Sequence, residues 1–174
     1  RWGLDATPWT DDGTDLLIQT AIGPVLYRVL EELLIERGIL VSPTVTMVAL
    51  PKITWEEDDA GHPVGGYQRI YSECLVKNRV RNEIIAAYAK QRMAAGKSVL
   101  VIVTRINHGE RLTELIPGAV FMKGGQSAAT YDRTFDALRS KQLLCLVTDT
   151  AKDGMDIPSL DCVVVADGHK DSRL

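Results

Sequence analysis

The sequence predicts an α/β fold with a mostly parallel sheet, preceded by a short connecting segment. Three observations predict it. Four short apolar runs fall in the second half, at 98–103, 119–122, 143–147 and 162–166. Because they are apolar at nearly every position, they read as strands buried on both faces, as parallel strands are. Segments of helical periodicity separate the first three, which is strand–helix–strand alternation with right-handed crossovers. Finally, 174 residues at 45% hydrophobic and 25% charged are enough for one independent core, with room for a small appendage.

In chain order, the first forty residues read as a connection followed by a strand and a helix. Asp11-Asp12-Gly13 and Gly23-Pro24 mark turns. Residues 26–29 read as a short strand and 31–37 as a helix stopped by Gly38. Residues 44–48 (TVTMV) alternate and are β-branched, the pattern of a strand. Residues 55–66 are acidic and rich in turn formers, so a solvated loop is expected there; His62 has no ligand-spaced partner within it. From 68 to 95 runs a long helical pattern in which Val76, Val80, Ile84 and Tyr88 recur every fourth residue. Arg79, Arg81, Lys90 and Arg92 fall on its other faces, expected to be solvated, and Gly96 ends it. A helix opened by Asn107, with Glu110 three residues on as a capping box, follows the first buried strand. Tyr131, Phe135 and Leu138 mark the next helix by their i, i+4, i+7 spacing.

Several classes are excluded early. Cys74, Cys145 and Cys162 are far apart with no CxxC spacing, which suggests small buried hydrophobes in a reducing cytoplasm and no metal site. No apolar run reaches the roughly 20 residues that a bilayer requires. A formal net charge of −3 argues against coating nucleic acid by bulk charge, so any such contact must be local. The opening Arg1-Trp2-Gly3-Leu4, without an initiator Met, reads like the interior of a longer chain.

Ligands of open α/β sheets bind beyond the carboxyl ends of the strands. Thr104 and Arg105 follow the first apolar run, Lys123, Gly124 and Gly125 the second, and Thr148 and Asp149 the third. Singly these are ordinary strand-ending residues. Together they line one edge with Thr, Arg and Lys donors, and they point to an anionic ligand. The third run leads into a loop holding Asp153, Gly154 and Asp156, with Pro158 stiffening its exit. Gly154 allows close backbone approach, and Asp156 can accept from a ligand hydroxyl.

Residues 146–158, LVTDTAKDGMDIP, resemble motif V of the superfamily 2 helicases of DEAD/DEAH-like, bacterial or phage type. Other resemblances lie in the same order. Residues 3–8 (GLDATP) resemble motif III, 101–112 (VIVTRINHGERL) resemble motif IV with its helix, and 123–133 resemble motif IVa. Motif V is fairly specific, motif III alone is weak, and residues 9–95 match only loosely. The resemblance implies a RecA-like three-layer fold. It divides the chain into 1–23, the end of a first motor domain carrying the coupling motif Asp5, Ala6, Thr7; 24–96, a linker of strand, helix, strand, acidic loop and long helix; and 97–174, the second RecA-like domain.

The resemblance also implies roles. Asp156 would hold the ribose of ATP, with Gly154 giving the backbone room. Thr104, Arg105, Gly124, Gly125 and Thr148 would hold nucleic-acid phosphates, which position a strand without reading its sequence. Arg133 would touch phosphate or pair with Asp149 or Asp153, and His108 would face the groove or the interior. The implied partners are DNA, with RNA possible, and the first RecA-like domain, which would carry Mg²⁺; no membrane is involved. Two departures matter. Asp5 stands where the family has Ser or Thr. The phosphate-cradling Gly-x-Gly-Lys-Thr loop and the Asp-Glu-x-Asp/His motif are absent, so the chain alone is expected not to hydrolyse ATP. The rival classes are a non-catalytic module binding nucleotide or protein, and a double-stranded DNA translocase that does not unwind.

Overall fold

The structure, a computed structural model, describes residues 3–4, 15–51, 53, 59, 64–150 and 157–167. The chain divides into two compact units, Arg1–Ala49 and Leu50–Leu174. Among its described residues the first contains two short helices, α1 (Asp15–Ile22) and α2 (Glu31–Glu36). Helix α2 ends as expected, with Gly38 in the left-handed region at φ 69°. The strands expected at 26–29 and 44–48 are not formed; both stretches are irregular. Among the described residues no strand pairs with either stretch, and β propensity has little force without a partner. Val45 and Met47 remain 79% and 92% exposed.

The second unit holds α3 (Gly66–Tyr71), a π-helical turn (Ser72–Val76), α4 (Arg79–Ala94), β1 (Val99–Ile102), α5 (Ile106–Leu115), β2 (Val120–Met122), α6 (Ala128–Arg139), β3 (Cys145–Thr148) and β4 (Cys162–Val165). The four strands form one sheet in the order β2-β3-β1-β4, parallel throughout. Alternate residues feed two cores. Val99, Val101 and Val147 face Ile85, Ala86 and Ala89 of α4 and Leu112 of α5. Leu100, Met122 and Leu146 face Leu138 of α6, with Tyr131 and Phe135 beside it. Helices therefore cover both sheet faces, the parallel α/β arrangement expected from the apolar runs and the three layers that the resemblance implies.

Three local expectations are corrected. The helix expected over 68–95 is interrupted. Lys77 N–H donates five residues back to Ser72 O at 2.8 Å, and Asn78 restarts the helix by accepting from Arg81 N–H at 3.1 Å. This break resets the helical phase. The buried stripe of α4 is Arg81, Asn82, Ile85, Ala86 and Ala89, while Val80 is half exposed. Arg81, expected on a solvated face, is buried. Finally, Arg105 and not Asn107 is the N-cap of α5, with no side-chain cap, so no capping box forms.

Glycine has a packing role in α5. A Cβ on Gly109 would overlap the ring of Phe121, so its absence lets the helix lie close against β2.

Candidate functional site

Register determines what meets at the carboxyl edge. Ile102 lies level with Thr148 and Val165, and Met122 with Thr148. The residues that follow each strand therefore emerge at one edge, where the sequence placed its candidates. Their contacts fall into two groups.

The first group gathers where β1 and β4 end. Tyr71, at the end of α3, shares a hydrogen bond with Thr104 Oγ1 at 2.6 Å and donates to Asp167 Oδ1. Arg105 is exposed. Its Nη2 donates to Gln68 Oε1 at 2.5 Å, and its guanidinium lies 5.3 Å from the centroid of the Tyr71 ring, a cation–π distance. Burial, and then the hydrogen bond to Asp167, push the Tyr71 phenol up to about 12, so it remains a neutral donor. Beneath it, the buried Arg81 donates from Nη1 to Ala166 O at 3.0 Å.

The second group gathers where β2 and β3 end. Gly124 N–H donates to Asp149 Oδ1 at 3.0 Å, and Gly125 turns the chain at φ 84°. Thr148 is fully buried, and its hydroxyl accepts from Thr150 N–H at 3.1 Å and meets Thr150 Oγ1 at the same distance. Thr150, not Thr148, therefore reaches the edge from this strand. Tyr131 donates to Lys123 O at 3.0 Å. An open cavity of about 550 Å³ lies here, lined by Gly124, Gly125, Gln126, Ala128, Tyr131, Asp132, Phe135 and Thr150.

Asp5, Ala6, Thr7, Gly154 and Asp156 lie outside the described residues, as do His62 and Asp153. Thr150 leads into the segment holding Gly154 and Asp156, and Ile157, buried in the α6-side core, follows it. Arg133 is exposed on α6 and makes no ion pair with Asp149 among the described residues.

His108 does not face the groove. It is fully buried, with Nε2 3.0 Å from Asn82 Oδ1, and Asn82 Nδ2 in turn donates to Val76 O at 2.9 Å. Burial, with Arg81 nearby, pulls its pKa down to about 4. The unfolded imidazole takes up a proton near pH 6.5 and the folded one only near 4, so stability present above 6.5 is lost as the pH falls between those values. Relative to His108→Gln, the wild-type chain is expected to lose about 2–3 kcal/mol across that window, read by denaturant titration at each pH. Parallel pH profiles for the two would contradict this.

The opposite, amino edge carries Asp161, which accepts from Lys141 Nζ at 2.9 Å, Ser98 N–H at 2.9 Å and Lys97 Nζ at 3.2 Å. These bonds, that from Lys141 foremost, hold its carboxyl well below the usual carboxylate range. They fasten β4 to β1 and α6 far from the candidate residues. Cys145 is a buried thiol that burial pushes up to about 12, the inert state expected of it. No helix among the described residues is long and apolar enough to cross a membrane.

Sequence reasoning missed Gln68, Tyr71, Thr150 and Asp167. Thr150 and Asp167 each lie two residues beyond a strand end and fall under the same edge rule. Nothing in the local pattern marked Gln68 or Tyr71, whose partners lie 33 or more residues away.

No family profile matches the chain. It is 27% identical to the ATP-dependent rRNA helicase RRP3 of Candida albicans and 26% identical to that of Coccidioides immitis, in each case across 93% of this chain. The chain spans only about a third of their length, 32% and 36%. Its fold is similar to the crystal structure of T4 UvsW, with a TM-score of 0.51 at 18% identity over 62% of this chain and 23% of the other. In sequence the chain is thus similar to about a third of two ATP-dependent rRNA helicases, and its fold is the mixed α/β fold, with a parallel sheet, that UvsW shares.

Proposed function

We propose that the chain is the second motor domain of an ATP-dependent helicase or translocase and that the carboxyl edge of its sheet holds the backbone of a single nucleic-acid strand. The observation that carries this is the convergence of Arg105, Thr104, Gly124 and Gly125 on one edge of a parallel sheet. Arg105 supplies a charge-assisted fork for phosphate, Thr104 a hydroxyl, and the Gly124–Gly125 turn an approach unobstructed by side chains. Thr148 acts through Thr150, whose backbone and hydroxyl it holds. The contacts are to phosphate, which DNA and RNA share; the rRNA helicases it resembles give no preference for DNA.

Nucleotide contact is assigned to the loop after Thr150, with the Asp156 carboxylate accepting a ribose hydroxyl and Gly154 leaving room for the backbone. ATP supplies the driving reaction in the whole protein. Its phosphates and Mg²⁺ fall to a first RecA-like domain, because the chain's 174 residues contain no Gly-x-Gly-Lys-Thr loop. In this layout 1–23 ends the first domain and carries the coupling residues Asp5, Ala6 and Thr7, 24–96 links, and 97–174 is the second domain, working in the cytoplasm.

The test is direct. The purified chain should bind single-stranded oligonucleotides with an affinity that falls as salt rises, while releasing no phosphate from ATP with or without nucleic acid. Binding without salt dependence would overturn the phosphate reading, and steady ATP turnover would overturn the division of labour between domains.

A further inference from the structure

Beside the proposed phosphate contact lies an aromatic residue that no part of that reading uses. Tyr67 and Tyr71 are four residues apart on α3 and therefore share a helix face. Their rings lie 5.9 Å apart, tilted by 52°. Tyr71 is only 6% exposed and is tied by its hydroxyl to Thr104 and Asp167, so its ring is a fixed support and not an available surface. Tyr67 is 49% exposed and belongs to neither core of the sheet. The next residue, Gln68, holds Arg105, whose guanidinium also lies over Tyr71. An exposed ring, a rigid ring backing it and a cation fastened to the same helix turn are thus assembled at one place.

We propose that Tyr67 is a stacking platform for an unpaired nucleobase, adjacent to the phosphate held by Arg105. The inference rests on the proposed phosphate contact and adds its neighbour along the strand. Every nucleotide carries a base next to its phosphate, and in a single strand the face of that base is open. A tyrosine ring covers such a face whatever the base, so the contact adds affinity without sequence preference. It also selects single strands, because a paired and stacked base has no free face to offer. Tyr71 acts as the positioning residue, fixing Tyr67 and Arg105 relative to one another.

The experiment measures binding of the full chain to short oligothymidylate and oligouridylate, and to a deoxyribose oligomer of equal length lacking bases. Tyr67→Ala should weaken binding to both base-bearing strands by about 5- to 100-fold without changing the log–log salt slope. Binding to the abasic strand should be unchanged, and Tyr67→Trp should keep or increase affinity for the base-bearing ones. An equal loss on all three strands, or no loss on any, would overturn the platform. Arg105→Ala separates the two ideas. If it weakens binding while Tyr67→Ala does not, only the platform fails; if neither has an effect, the phosphate contact fails with it.

Discussion

Leu146→Ala is expected to destabilise the chain by about 3–4 kcal/mol, a large share of the roughly 5–15 kcal/mol that holds a domain folded. Leu146 is fully buried on β3, an inner strand flanked by β1 and β2. Its side chain packs with Leu100, Met122, Leu138 and Ile157 on the α6 side of the sheet. The loss combines the transfer of the deleted carbons with the cavity they leave, because strands paired on both sides cannot close the gap. Denaturant titration reads the change. A loss below about 1 kcal/mol would mean that α6 settles into the space and that the layer is looser than its packing implies.

Arg81→Met is expected to cost about 2–3 kcal/mol although it keeps an unbranched apolar stem and removes a buried charge. Arg81 is 8% exposed, and its Nη1 donates to Ala166 O immediately after β4. Burial lowers its pKa, whereas Asp167 and Tyr71 raise it, the first of these the largest effect. Methionine would leave the Ala166 carbonyl without this donor and would remove the positive charge that Arg81 sets near Asp167. Asp167 also accepts from Tyr71, which supports Arg105, so the variant should weaken single-strand binding as well. Unchanged stability would show that the carbonyl and carboxylate are satisfied without the arginine.

The sheet was legible in the sequence because its strands are almost wholly apolar: VLVI, VFM, CLVT and CVVV, with Thr148 the one polar residue, read as the strands of a sheet covered by helices. The edge rule then located Arg105 and Gly124 without any side-chain detail. What escaped was whatever depends on distant partners. TVTMV at 44–48 has the composition of a strand, yet no strand among the described residues pairs with it. Arg81 carries a charge that periodicity assigns to solvent, and only β4, folded back from 85 residues away, offers it a carbonyl. Thr148 ends its strand in the expected register, but its hydroxyl turns inward to the next residue but one. Tyr71 is an unremarkable helix residue until the ends of β1 and β4 bring Thr104 and Asp167 to it.

The account depends most on the claim that this edge grips a nucleic-acid backbone, and Arg105 tests it most directly. The measurement is the affinity of the full chain for a single-stranded oligonucleotide across a salt series, with and without Arg105→Ala. One lost phosphate contact should weaken binding to all sequences alike and reduce the magnitude of the log–log slope by about 0.7. Thr148→Val, which removes no charge, should weaken binding through Thr150 and leave the slope as it was. Affinity and slope both unchanged in Arg105→Ala would contradict the account, because the exposed guanidinium that Gln68 and Tyr71 hold at that edge would then take no part in binding.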